Sequence, residues 1–366
     1  MSNEPLILVL NSGSSSLKYA IFSGKQLIVR ESLERLGNDR LPAIRSAIEA
    51  AAKHRPGEHL TAIGHRVVHG GTIYSRPVRI TDDILATLET LTPLAPLHEP
   101  YNLAGIRAVR EAFPEIPQVA CFDTAFHATM PKVEQMFGLP RTYYDRGIRR
   151  YGFHGLAYES IVEQMCHQYP DDAGGRIIAC HLGNGASLCA IRAGRSVATT
   201  MSFTPLDGLM MGTRPGHLDP GVVLYLERHE GFTPEQVDHL LSHESGLLGV
   251  SDGISADMRD LLASDSAAAN EAIGLFCYRI TREIGAMAAT IEGVDTIVLS
   301  GGIGEHSPTI RERICHRLDW LGVDMDAHRN TSNESILHTK TSRVKLYRVT
   351  ANEEAVIARH TIELVG

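Results

Sequence analysis

Three short segments of this 366-residue chain combine glycine with groups that can hold a phosphate. The first is Asn11-Ser12-Gly13-Ser14-Ser15-Ser16, followed by Leu17-Lys18. Backbone N–H groups and the hydroxyls of Ser14 and Ser16 can meet phosphate oxygens there with little steric hindrance, and Lys18 adds positive charge. Asn11 offers a carbonyl able to reach Mg²⁺, usually through water. The second segment is His181-Leu182-Gly183-Asn184-Gly185, and the third is Gly301-Gly302-Ile303-Gly304-Glu305-His306. Glycines in such a turn let a flat ring or a phosphate approach the backbone closely. Each turn alone is a weak signal, and none matches the GxxxxGK[ST] phosphate loop. Asp257-Met258-Arg259 could give a carboxylate to a ribose and a guanidinium to a base, or could simply start a solvated helix.

Two arginines stand among apolar residues: Arg66 in GHRVVHGG and Arg214 in MMGTR. Burying a lone guanidinium is costly, so each calls for a carboxylate or phosphate partner. They can serve as structural ion pairs or contact a phosphoryl group in transfer. His154, between an aromatic residue and a glycine, could stabilise a phosphoryl oxygen. Asp123, just after an apolar run, could hold Mg²⁺ or orient another group. Glu353 could do the same, although a glutamate in the first turn of a helix favours the helix dipole anyway. His98 is a further candidate. Eighteen histidines raise the question of zinc, but no HExxH or tight His/Cys cluster occurs.

Positioning these residues requires strands that end in turns. Residues 6–10 and 17–22 read as two strands around the first glycine turn, with Gly24 closing the second. Residues 177–180 and 188–191 repeat this unit around the second turn, and two distant copies suggest a duplicated domain. Residues 62–68, 117–122, 296–299 and 344–349 read as further strands. Residues 82–91, 102–112, 156–168 and 267–291 read as helices. Ser307-Pro308 and Asn352-Glu353-Glu354 carry helix-start signals. The mixture means an α/β protein of two domains, with no linker to mark the boundary near residue 150.

The net charge of −8 without a basic stripe argues against nucleic acid as the main partner. No targeting or membrane-spanning segment is visible, so the expected location is cytoplasmic. The six scattered cysteines read as reduced, buried thiols.

The segments LNSGSSSLKYAIF, GHRVVHGG, PLHEPYN, FDTAFH, YGFHG, HLGNGAS, FTPLDGLMMGTR, DMRD, GGIGE and NEE run in order from residue 10 to residue 354. In them the chain resembles the acetate kinases, and more broadly the short-chain carboxylate kinases. The resemblance implies two duplicated ribonuclease-H-like domains of the actin and sugar-kinase type, with the active site in the cleft between them. Residues 1–149 plus 353–366 would form the first domain. Residues 150–352 would form the second and carry most of the nucleotide site. The implied reaction is reversible, in-line transfer of the ATP γ-phosphoryl group to acetate, giving acetyl phosphate and ADP.

Carried over residue by residue, Asn11 and Glu353 resemble Mg²⁺ ligands, with Mn²⁺ also admitted, and Lys18 resembles a phosphate contact. Arg66 resembles the carboxylate-binding arginine, Arg214 and His154 the transition-state stabilisers, and Asp123 the essential aspartate. His181, Leu182, Gly183, Asn184 and Gly185 match one nucleotide segment. Asp257, Met258 and Arg259 match a second, and Gly302, Ile303, Gly304, Glu305 and His306 a third. Val68, Leu97, Phe153 and Pro205 match the wall around the substrate methyl. Three features depart from the family pattern. His306 stands where asparagine is common, Pro215 and His217 replace a serine and an acidic residue, and the segment between Gly24 and Ala62 is short. The resemblance also implies a homodimer acting on small molecules, with neither nucleic acid nor membrane as partner. Two rivals are a kinase for propionate or butyrate and a non-enzymatic, actin-like nucleotide switch.

Overall fold

The opening apolar run becomes β1 (Leu6–Ser12), and the chain returns antiparallel as β2 (Ser16–Ser23) and again as β3 (Gln26–Glu34). The computed structural model describes residues 4–13, 16–34, 39–96 and 98–366, so Ser14 and Leu97 lie outside the described residues. Helix α1 (Leu41–His54) leads to β4 (Leu60–Val67), which runs parallel to β1 on the side away from β2. The two-residue β5 (Val78–Arg79), α2 (Asp82–Thr90), α3 (Glu99–Ala112) and β6 (Gln118–Phe122) follow. The sheet order is β3-β2-β1-β4-β6-β5, with β6 parallel to β4.

Side chains of a strand alternate between faces, and β1 is buried on both. Leu6, Leu8 and Leu10 pack with Ala43, Ile44 and Ala47 of α1. Ile7 and Val9 pack with Val356, Ile357 and Ala358 of the C-terminal helix Glu353–Val365. Two covered faces explain why β1 reads as an unbroken apolar run. The C-terminal helix also lies against Gly64 of β4. A Cβ there would come within 2.3 Å of Thr361 Oγ1 and 2.6 Å of Ile357 Cγ2, so only glycine lets the helix seat.

Chain contacts separate two compact units: residues 1–128, 154–160 and 352–366, and residues 129–153 and 161–351. Local bonds account for the two small exchanges in the middle. Glu159 is held by Arg359 (2.6 Å) and His360 (2.7 Å) of the C-terminal helix, while Arg150 donates to the carbonyls of Thr199 (3.1 Å) and Thr200 (3.2 Å).

The second unit repeats the core of the first. β7 (Arg176–Leu182), β8 (Ala186–Arg192) and β9 (Arg195–Thr199) form an antiparallel ladder. β10 (Thr296–Ser300) runs parallel to β7, and β11 (Lys345–Arg348) runs parallel to β10. The order β11-β10-β7-β8-β9 therefore matches β6-β4-β1-β2-β3 in sequence and direction. The duplication anticipated from the two glycine hairpins is present as two copies of one sheet. The helix Ala267–Thr290 buries Ala269, Ala272, Ile273, Phe276, Cys277 and Ile280, a helical spacing, and packs on β7, β8 and β9.

Two readings need adjustment. All six cysteines are free and five are buried, but Cys166 is exposed, on the outer face of the helix Gly155–Gln168. The glycine segment after β10 is a short helix, Gly301–His306, rather than an open turn. Among the described residues, no helix is long and apolar enough to cross a membrane.

Candidate active site

In the first unit, parallel pairing aligns the C-terminal ends of β1, β4 and β6, and side chains far apart in sequence meet there. Arg66 stands near the end of β4, and Asp123 directly follows β6, its N–H bonded to the carbonyl of Val67 (3.0 Å). Arg66 grips both carboxylate oxygens of Asp123, through Nε (3.0 Å) and through Nη2. Its Nη1 donates to Asn11 Oδ1 at 3.3 Å, and its Nε lies 3.6 Å from Glu353 Oε2. The sequence separation between Arg66 and Asp123 is 57 residues, bridged by strand adjacency alone.

The charges here are mutually dependent. Burial pulls the Arg66 guanidinium down, but Asp123 and Glu353 more than offset this and leave it above its ordinary value. Burial pushes the Asp123 carboxyl up to about 6; Arg66 opposes the push and Glu353 adds to it. Asn11 Oδ1 and the carboxylates of Asp123 and Glu353 are hard oxygen donors, the class that Mg²⁺ takes. Among the described residues no group of three or more His, Cys, Asp or Glu forms a closed metal cage.

His154 stands beside this cluster through the main chain. Gly155 N–H donates to the carbonyl of Asp123 (2.8 Å), and a Cβ on Gly155 would lie 2.3 Å from that oxygen. His154 itself has φ of 58°, a left-handed conformation costly for a non-glycine residue and often found where a side chain must be aimed. Lys18 is exposed on β2, opposite Asn11 in the ladder. Val68 is buried, and its N–H is held by Asn102 Oδ1 at 3.0 Å.

Asn102 and Glu99 escape the sequence reading, although both lie in PLHEPYN. Asn102 also donates to the carbonyl of Ser12 (2.8 Å), so one amide ties the loop after β4 to the glycine turn after β1. Glu99 is fully buried and accepts from the N–H of His69 (3.3 Å). Burial pushes its carboxyl up to about 8 and pushes the His69 imidazole down to about 4. Glu99 standing between Pro96 and Pro100, in a Pro-x-x-x-Pro spacing, was the available signal.

In the second unit, parts of all three segments expected to meet a nucleotide line one hollow of about 670 Å³. Gly183 and Asn184 come from the β7–β8 turn; Asp257, Met258 and Arg259 from the start of the helix Met258–Leu262; Gly302, Ile303 and His306 from the helix after β10. Asp257 caps its helix by accepting from Arg259 N–H (2.8 Å) and pairs with the Arg259 guanidinium (2.6 Å). That hydrogen bonding holds the carboxyl of Asp257 down at about 2. Five predicted residues, His181, Leu182, Gly185, Gly304 and Glu305, do not line the hollow. Leu182 is core, and buried Glu305 folds back to accept from Gly301 N–H at 2.8 Å.

The Arg214 loop joins the same unit at Asn184, whose carbonyl accepts from Gly212 N–H (2.9 Å). A Cβ on Gly212 would collide with Asn184 Oδ1 at 1.9 Å, which fixes glycine at that position. Arg214 donates to the carbonyl of Pro205 at 3.4 Å. Phe153 is buried in this unit, next to Gly152, whose N–H donates to Ser202 (3.2 Å). A comparable hollow of about 690 Å³, lined by Glu312, His316, Trp320, Asp324 and Arg343, contains none of the predicted residues.

Residues 36–359 match the model of the acetokinase family. An acetate kinase of Methylocella silvestris is 46% identical over 395 aligned positions, covering 98% of each chain. One of Rhodopseudomonas palustris is 45% identical with the same coverage. Among solved structures, a propionate kinase from Francisella tularensis superposes with a TM-score of 0.90 at 35% identity, over 98% of this chain and 100% of that one. Porphyromonas gingivalis acetate kinase gives 0.90 at 34% identity, over 99% and 100%. With the family model spanning most of its length and such relatives matched end to end, the chain belongs to the acetokinase family.

Proposed function

We propose that the protein is an acetate kinase, transferring the γ-phosphoryl group of ATP reversibly to acetate. The observation that carries this reading is Arg66, fixed by both oxygens of Asp123 and flanked by Asn11 and Glu353. A guanidinium so held can bind an anionic carboxylate in one orientation. Acetate is already ionised near neutral pH, so it needs no general base. Asp123 orients Arg66 instead, and Val68 offers an apolar wall, joined in our reading by Leu97, Phe153 and Pro205. The hollow lined by Asn184, Asp257, Arg259 and Gly302 takes the nucleotide. Arg214 and His154 neutralise charge on the phosphoryl group as it passes in line, which is most of what such transfer demands.

Asn11 and Glu353 would hold Mg²⁺, which supplies charge neutralisation to the nucleotide phosphates when bound. Ser14, Ser16 and Lys18 would face those phosphates. We further read the protein as a cytoplasmic homodimer, in keeping with six unpaired cysteines and the exposed aromatic residues Tyr278 and Trp320. Trapping the acyl phosphate with hydroxylamine tests the activity. ATP with acetate should yield hydroxamate, and ATP binding without any acyl phosphate would leave only a nucleotide switch.

The likeness to a propionate kinase supports a second acid. One methylene changes binding in an apolar pocket by about 1–3 kcal/mol, so propionate should react with a raised KM or lowered kcat. Running acetate, propionate and butyrate side by side ranks them.

A further inference from the structure

Arg311 lies in the helix Pro308–Cys315, two residues after Thr309 of the nucleotide hollow, and is fully buried. Its Nε donates to Asn330 Oδ1 (2.7 Å). Its Nη1 donates to the carbonyls of Gly304 and Glu305, both at 3.0 Å. Its Nη2 donates to the carbonyl of Asn330 (2.8 Å) and to Asn333 Oδ1 (2.7 Å). Every one of these acceptors is neutral, and among the described residues no carboxylate pairs with Arg311. Burying a cation that way is costly, and an apolar side chain of equal volume would fill the space without the desolvation. What an apolar residue cannot do is hold oxygens on two separate segments in a fixed fork.

Those oxygens belong to the nucleotide segment on one side and to residues 330–333 on the other. Gly304 and Glu305 present the last carbonyls of the helix Gly301–His306, which lack partners within so short a helix. At the opposite end Gly301 N–H is taken by the Glu305 carboxylate. The segment is thus closed on itself at its start and held by Arg311 near its end, and Gly302, Ile303 and His306 from it line the hollow. The brace is itself braced, because Asn330 Nδ2 donates to the carbonyl of Pro308 (2.9 Å).

We infer that Arg311 is a positioning residue for the nucleotide: it fixes the helix Gly301–His306 against residues 330–333 and so sets nucleotide affinity without touching either substrate. This rests on reading the hollow as the nucleotide site. Asn333 provides a clean probe, since its φ of 52° suits glycine. Asn333→Gly removes one acceptor while leaving the backbone unstrained. Arg311→Lys keeps the charge but loses the fork.

The test measures ADP affinity by calorimetry, KM for ATP and for acetate, kcat, and thermal melting for the wild type and both variants. For Asn333→Gly, the loss of one hydrogen bond should weaken ADP binding and raise KM for ATP about three- to tenfold. KM for acetate and kcat should stay within about twofold, since no contact to the acid is altered. Arg311→Lys should shift the same quantities further in the same direction. If Arg311→Lys does not fold, Asn333→Gly decides alone. Unchanged ADP affinity in a folded variant, or an equal rise in both KM values, overturns the inference. Failure of the wild type to bind ADP overturns the nucleotide reading itself, and is seen before any variant is made.

Discussion

At the scale of single residues, the pair Arg66–Asp123 sets the pH response. With its carboxyl raised to about 6, Asp123 takes up a proton just below neutrality and then loses its two-point hold on Arg66. The rate at limiting acetate should therefore fall as pH drops through about 6. In Asp123→Asn that acidic limb should vanish, and kcat should be lower at every pH by about 10²-fold or more, the scale of losing an oriented charge contact. A pH–rate profile of both proteins checks this; an acidic limb that persists in the variant assigns the ionisation elsewhere. Arg214→Ala should cost about 10³-fold or more in kcat while ADP affinity moves little, because the proposed contact forms with the phosphoryl group in transit. Calorimetry beside steady-state kinetics separates the two effects. Much of this chemistry was legible, since an arginine in apolar company announces a partner. Its identity was not: Arg66 and Asp123 meet only because β4 and β6 pair, and the burial of Glu99 depends on helix α3 docking over the loop after β4.

Elements were legible where burial writes a pattern. β1, β2, β7 and β8 are apolar runs around polar glycine turns, and they sit where the sequence places them. β3 has no such signature, because most of its residues are exposed at the sheet edge and the charges of QLIVRESLE face solvent. β9 is likewise a short edge strand. Helix α1 does carry apolar residues at helical spacing, Ala43, Ile44, Ala47 and Ala51, but three are alanines and their weak contrast hides the stripe. The same scale yields a packing prediction. Gly64→Ala would press a methyl group into Thr361 and Ile357, destabilising the first unit by about 1–3 kcal/mol as the C-terminal helix shifts outward. Denaturant unfolding measures it, and Thr361→Ala placed on top should recover part of the loss by opening space.

Across the whole molecule, one sheet topology occurs twice, and the repeat was visible in sequence as two glycine hairpins. Which segments complete each copy was less visible. The helix Glu353–Val365 returns from the far end of the chain to cover Ile7, Val9 and Val119, and it brings Glu353 to Arg66. Ending the chain at residue 351 should therefore do more than delete one carboxylate. It should leave an apolar sheet face uncovered, which favours aggregation. Expression of this truncated chain should give insoluble protein or a first unit open to protease, whereas Glu353→Gln should stay soluble and lose activity alone. Limited proteolysis distinguishes these outcomes.

That returning helix also orders events on the ribosome. The strands of the first unit are made earliest, yet their final cover, the helix Glu353–Val365, is made only after the whole second unit. Every piece of the second unit has been translated before residue 352 appears. Nascent domains usually mature from the amino end onward. Here the later-made half can reach its native state first, while the earlier-made half waits, one side bare, until residues 352–366 have been made.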